Sequence, residues 1–208
     1  MRITNSSKLQ APSSKKGLIF VISGPSGSGK STLLVRLVNS RGLKHQLARS
    51  ISCTTRPRRS GEINKKDYFF VSQRQFREKR KANKILEWTK YLGYYYATPR
   101  DFLERQIQRG LDVVMCLDVK GALRAKRLYP KNTVTIFVLP PSLSVLRSRL
   151  RKRCNKTKKE EILKRLELAN EELEAAKKYD YCIVNRKLDE AVRKLRGIAL
   201  KEKSKRNK

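Results

Sequence analysis

The sequence is short of acids and almost without histidine. Eighteen aspartates and glutamates face 51 lysines and arginines, and His45 is the single histidine. Four cysteines, Cys53, Cys116, Cys154 and Cys182, are widely spaced, with no C-x-x-C pair. One histidine and unpaired cysteines cannot complete a standard zinc set. The same spacing is the pattern of a reducing compartment, with Cys116 and Cys182 expected as buried thiols in apolar runs. No run of about 18 apolar residues occurs, so no membrane-spanning helix is expected. Residues 1–16 lack the apolar centre of a secretory signal. They are basic, serine-containing and free of acids, a composition that transit peptides share, and are read as a short disordered tail. No internal repeat is visible.

What the chain does have is apolar material and positive charge. Its 208 residues, 38% hydrophobic, suffice for one α/β domain with small insertions. The net charge of +33 implies attraction to polyanions: nucleotides, RNA, DNA. A solvated basic surface has the same composition, and charge of this kind speaks to association, not to fold.

Five runs read as strands: 17–23, 67–71, 111–119, 133–139 and 180–184. Several are near-continuously apolar, as a parallel sheet covered on both faces requires. Helical patterns alternate with them. One follows the first strand over 30–39. Another opens at Thr98 as N-cap, with Pro99 in the first helical position and Asp101 in the first turn, and runs to about Arg109. Thr157 and Glu160 have capping-box spacing ahead of a long helix to about Lys178, with Ile162, Leu163, Leu166, Leu173 and Ala176 on its apolar face. A last helix covers 188–201, and the tail that follows is expected to fray. The alternation predicts an α/β fold with right-handed crossovers. Residues 50–96 interrupt it and read as an inserted small sheet with a helix. Residues 148–159, strongly basic, read as a mobile segment between two helices.

Between the first strand and the first helix stands Gly24-Pro25-Ser26-Gly27-Ser28-Gly29-Lys30-Ser31-Thr32. It fits G-x-x-x-x-G-K-[ST] in the required strand–loop–helix context. Gly27 and Gly29 permit positive φ and close backbone approach, so the amides form an anion nest at a helix N-terminus. Lys30 can reach the β- and γ-phosphates of a nucleotide, and Ser31 can place its hydroxyl on Mg²⁺. The motif names a nucleotide site without naming a reaction.

The reaction is suggested by the insert. Ser52, Thr54, Thr55, Arg56, Arg59, Gly61, Glu62, Asp67 and Tyr68 reproduce an S-x-T-T-R-x-x-R-x-G-E…D-Y pattern. Further matches follow at Glu87-Trp88, at Gly93 to Thr98, at Asp118 to Gly121, at Pro140 to Ser142 and at Val184-Asn185. In these residues the chain resembles the guanylate kinase family, over roughly 17–200. The resemblance implies a P-loop NTPase-type parallel sheet flanked by helices, with a small GMP-binding insert and a mobile lid. It divides the chain into a core (17–49, 97–147 and 166–203), an insert (50–96), a lid (148–165) and a basic tail (204–208). It also implies ATP-dependent phosphorylation of GMP, with dGMP left open, using ATP and Mg²⁺ in the cytoplasm as part of purine metabolism.

By that resemblance Arg56, Arg59, Tyr68 and Tyr96 would hold the GMP phosphate, two guanidinium forks and two phenols suiting a dianion. Glu87, Ser52 and Thr98 would read the guanine, since a carboxylate accepts from its N1–H and 2-amino group and adenine lacks both donors there. Thr98 as cap and Thr98 as ligand are compatible roles. Asp118 would lie at the end of the central strand near acceptor and metal, which Ser31 and Asp118 would hold. Lys30, Arg56, Arg149, Arg153 and Arg165 would form the catalytic clamp around the transferring group. Asn185 would lie near the adenine, or cap a strand end.

The chain departs from the family pattern in four places. Cys116 stands where an acid usually precedes Asp118 by two residues. Lys120 replaces a glutamine, Pro57 directly follows Arg56 with Arg58 extra, and Cys154 replaces a lid glycine. Sulfur is a poor partner for hydrated Mg²⁺, so slower turnover without loss of binding is expected. A non-catalytic scaffold of this type usually has an eroded phosphate loop, whereas Lys30, Ser31, Arg56 and Arg59 are all present. The excess charge suggests non-specific nucleic-acid association as a third reading, with no stacking motif evident outside the tyrosine cluster.

Overall fold

β1 (Ile19–Ser23) is buried along its whole length and pairs in parallel on both sides. The computed structural model describes residues 16–44, 46–153 and 159–207. In it β1 lies between β7 (Asp112–Cys116) and β8 (Thr133–Leu139), with β2 (Leu47–Arg49) and β9 (Tyr181–Val184) at the two edges. All four pairings are parallel. Alternation along the strand sends Phe20 and Ile22 to one face and Ile19 and Val21 to the other. The first face meets Leu33, Leu34 and Leu37 of α1 (Lys30–Val38) and Ala191, Leu195 and Ala199 of α7 (Leu188–Asn207). The second meets Leu103 and Ile107 of α3 (Arg100–Gln108) and Ala122 and Ala125 of α4 (Val119–Leu128). Cover on both faces is why these strands read as unbroken apolar runs.

The insert forms a second sheet in the order β4 (Phe69–Phe70), β3 (Cys53–Thr54), β6 (Tyr94–Pro99), β5 (Ile85–Tyr91). β5 and β6 make an antiparallel hairpin that turns at Leu92 and Gly93, both at positive φ. α2 (Gln73–Lys81) begins with a capping box between Ser72 and Gln75 and buries Phe76 against Cys53, Ile85 and Ala97. Beyond β8, α5 (Leu143–Arg153) and α6 (Lys159–Glu174) pack through Leu146, Leu150, Ile162, Leu166 and Ala169. No described helix is long and apolar enough to cross a membrane.

Several local expectations are corrected. Thr98 belongs to β6, and the N-cap of α3 is Pro99, outside the helix. Residues 148–153 are the second half of α5 and not an irregular linker, because Leu146 and Leu150 anchor that helix to α6. The Thr157 capping box lies outside the described residues. Leu163 is exposed at 45%, since α6 turns only Ile162 and Leu166 of that turn toward α5. Cys182, on edge strand β9, is also exposed. The C-terminal residues do not fray: α7 continues to Asn207. Asp112, 1% exposed, accepts from the Leu18 amide at 2.9 Å and is ion-paired with both Lys203 and Arg206.

Deleting residues 203–208 would leave the Asp112 carboxylate buried without a cation. Urea unfolding should then show a stability loss of about 3 kcal/mol.

Candidate active site

The carboxyl ends of β1 and β7 open into a cavity of about 660 Å³. That is where parallel α/β sheets receive ligands. One wall is the loop from Gly24 to Gly29, in which Gly24, Gly27 and Gly29 all have positive φ. Gly29 is required for a second reason: a Cβ there would stand 2.3 Å from Nδ2 of Asn185. That amide donates to the Ser28 carbonyl at 2.8 Å, while the Asn185 carbonyl accepts from Arg149 at 3.0 Å. Lys30 donates its ammonium to the carbonyls of Gly24 and Pro25. Arg165, from α6, donates to the Ser26 hydroxyl at 2.9 Å and lies over the Tyr91 ring. Asn185, just past β9, and Arg165 of α6 therefore brace the loop from outside, with Arg149 of α5 holding Asn185.

The opposite wall is the insert. Arg56 donates twice to Glu62, at 2.7 and 3.0 Å, and once to the Tyr96 hydroxyl at 3.2 Å. Its guanidinium also lies against the Tyr68 and Phe70 rings. Glu62 additionally accepts from the Arg59 amide at 2.8 Å. Burial alone would raise the Glu62 carboxyl. The Arg56 guanidinium and the Arg59 amide overcome that and hold it below the usual carboxylate range. Glu62 thus fixes the shape of the arginine loop.

Along β5, Glu87, Thr89 and Tyr91 share the face turned to the cavity. Glu87 is buried and accepts from the Thr98 hydroxyl at 2.6 Å. Burial, reinforced by the nearby Asp118 charge, pushes its carboxyl up to about 7 against the opposing Thr98 bond. Asp118 caps α4 by accepting from the Gly121 amide at 2.7 Å. Gly121 cannot carry a side chain without crowding, because a Cβ would lie 2.7 Å from Oε2 of Glu87. Cys116 sits beside Lys30 as a neutral thiol, pushed up to about 11 by burial.

Most of the expected residues converge here. Gly24, Ser26, Gly27, Gly29, Lys30, Ser31, Thr32, Ser52, Arg56, Arg59, Tyr68, Glu87, Tyr96, Asp118, Arg149, Arg165 and Asn185 all line the cavity. Pro25 and Ser28 belong to the loop but do not line it, and Thr98 acts from behind Glu87. Arg153 closes α5, and its side chain lies outside the described residues. Asp118 is not at the end of the central strand. β1 is central, and β7 stops at Cys116, two residues short of Asp118. Sequence reasoning missed Thr89, Tyr91, Glu172 and Arg186, which also line the cavity. Alternation from Glu87 would have found the first two. Glu172 lies seven residues beyond Arg165, two turns along the same face of α6. Burial pushes its carboxyl up to about 7 against the pull of Lys30.

A glycine nest at the carboxyl end of a parallel sheet's middle strand, facing a basic arm across one cavity, places this chain among the P-loop nucleotide-binding proteins. Comparison with known proteins narrows the class. The guanylate kinase family model matches residues 16–202. The guanylate kinase of Caldanaerobacter subterraneus subsp. tengcongensis is 43% identical over 91% of this chain and 89% of its own length. That of Wolbachia pipientis wMel is 42% identical over 93% of this chain and 94% of its own. The crystal structure of guanylate kinase from Anaplasma phagocytophilum superimposes with a TM-score of 0.76 at 30% identity, over 90% of this chain and 87% of that one. The chain belongs to the guanylate kinase family.

Glu87 in the fold titrates near 7, far above the 4.5 of an unperturbed glutamate. Its neutral form favours the folded state, so its contribution to stability is complete below about pH 4.5 and is lost as pH rises through about 7. Glu87→Gln cannot ionise. Its stability relative to wild type should therefore rise across that window and level off above it, read by urea unfolding at each pH. A difference that stays flat would contradict the burial-driven shift.

Proposed function

We propose that the chain transfers the γ-phosphoryl group of ATP to GMP, giving GDP and ADP. The observation that carries this reading is the single cavity joining the Gly24–Gly29 loop to the Arg56, Arg59, Tyr68 and Tyr96 arm. The loop amides and Lys30 bind the polyphosphate, Lys30 leaving the carbonyls of Gly24 and Pro25 to do so. The arm binds the phosphate of GMP, with Arg56 already oriented by Glu62 and Tyr96. Glu87, steadied by Thr98 and beside Ser52, accepts from the guanine N1–H and 2-amino groups. Adenine offers neither donor, so AMP leaves a buried carboxylate with no partner from the base.

An oxygen of the GMP phosphate attacks the γ-phosphorus as the bond to the β-phosphate oxygen breaks, and no covalent protein intermediate forms. Arg149 and Arg165, joined by Arg153, stabilise the charge on the transferring oxygens. Closure of α5 and α6 over the cavity excludes water.

The oxygen donors in the cavity suit Mg²⁺. Among the described residues no cluster of three metal-ligating side chains exists, which fits an ion that keeps water and phosphate oxygens as its main ligands. Ser31 and Asp118 would hold it, and Cys116, a neutral thiol, would not. When bound, Mg²⁺ neutralises phosphate charge. The intact loop lysine and both phosphate-facing arginines disfavour a scaffold without catalysis. We assign the enzyme to the cytoplasm, a reducing compartment that suits its free thiols Cys53, Cys116 and Cys182.

In a coupled assay, Lys30→Ala should lower kcat by at least about 100-fold. Glu87→Gln should reduce the preference of kcat/KM for GMP over AMP by about 100-fold or more. An unchanged ratio would remove Glu87 as the base-reading group, and no turnover of GMP by the wild type would overturn the activity itself.

A further inference from the structure

The rear face of the inserted sheet carries a feature that phosphoryl transfer does not use. β5 directs Glu87, Thr89 and Tyr91 to the cavity, so Trp88 and Lys90 point the other way, toward α2. There Phe76 stacks on Tyr95 with centroids 4.5 Å apart, and Trp88 meets both rings edge-on, at 6.0 and 5.7 Å. Phe76 is buried, but Trp88 remains 42% exposed. Arg80 lies 4.9 Å over the Trp88 ring, and Lys90 lies 5.8 Å over Tyr95.

The helix above this cluster reads QRQFREKRK. Arg74 is bonded to Glu78, the helix's single acid. Among the described residues no carboxylate pairs with Arg77, Arg80, Lys81 or Lys84. Arg77, Arg80 and Lys81 recur at the spacing of one helix side. Cations that only kept the helix solvated would not require an exposed tryptophan beside them.

We infer that this face binds single-stranded RNA, with an unpaired base stacking on Trp88 and Arg80 and the phosphates meeting Arg77, Lys81 and Lys84. An aromatic platform flanked by unpaired cations is the chemistry that single strands recognise. A duplex offers its phosphates but not its base faces, while RNA loops and ends leave bases open. An anionic bilayer fits less well. Entry into the acyl boundary needs a broad apolar face, and Trp88 is the only exposed large apolar side chain on α2 or this side of the hairpin. The net charge of +33, far beyond what the nucleotide cavity employs, supplies long-range attraction for such a strand.

Trp88 is the only tryptophan in the chain, so its emission reports this surface directly. Full-length protein is titrated with an oligouridylate of about 12 nucleotides. The expected result is quenching that weakens steeply with salt, persists at saturating GMP, and is at least tenfold weaker in affinity with an RNA duplex of equal length. Arg77→Glu combined with Lys81→Glu should weaken binding at least tenfold and leave kcat and KM for GMP unchanged. Trp88→Ala, followed by anisotropy of labelled RNA, should weaken it about fivefold or more. Loss of the quench with GMP would place the strand in the catalytic cavity and overturn the proposal. So would binding without quenching, equal binding of duplex, or a blue shift with phosphatidylserine vesicles in the absence of any response to RNA.

Discussion

The hydrogen bond from Asn185 to the Ser28 carbonyl, at 2.8 Å, ties the end of β9 to the glycine loop. A loop that offers amides to an anion can spend few of them on itself, and here the Ser28 amide donates to the Pro25 carbonyl at 3.1 Å. Its shape is therefore imposed by its carbonyls and by neighbours. Asn185 takes the Ser28 carbonyl, Lys30 takes those of Gly24 and Pro25, and Arg165 holds the Ser26 hydroxyl. Arg149 reaches the same assembly through the Asn185 carbonyl. Arg165 of α6 and Asn185, just past β9, thus brace the phosphate loop at two residues, and Arg149 of α5 joins them through Asn185.

Charge in the cavity follows the same economy. The wall of cations is interleaved with carboxylates, each with a distinct task. Glu62 is held ionised by Arg56 and sets the arginine loop. Glu87 is raised by burial, and a ligand that donates two hydrogen bonds would favour its ionised form. Glu172 brings a carboxylate near Lys30 from α6, which also carries Arg165. Cys116 contributes no charge at all, which leaves Asp118 and Glu172 as the acids around the loop lysine. The arrangement belongs to a chain of the guanylate kinase family.

The two faces of the β5–β6 hairpin show how one strand can carry two chemistries. Glu87, Thr89 and Tyr91 face the nucleotide cavity, while Trp88 and Lys90 face α2. The period of two makes this separation automatic. A hairpin that lines an active site therefore offers its reverse to a partner without compromising the site.

Much of this was legible in the chain's local pattern. The apolar runs announced a parallel sheet covered on both sides, and Gly24 to Thr32 announced a phosphate loop, because period and glycine placement act over a few residues. The ordered motifs through Asn185 pointed to the family and to much of the cavity lining. What local pattern misread depended on distant partners. The tail stays helical because Lys203 and Arg206 meet Asp112, the latter 94 residues away. Thr98 is a strand residue holding Glu87 and not a cap, and Asn185 grips a loop 157 residues earlier. The sequence by itself determined which elements form and where the phosphate loop lies, since those choices are made by neighbours along the chain. Only the tertiary structure decided which carboxylates are buried, which cations are paired and which face of the insert meets solvent, since burial and pairing are set by residues that sequence distance keeps apart.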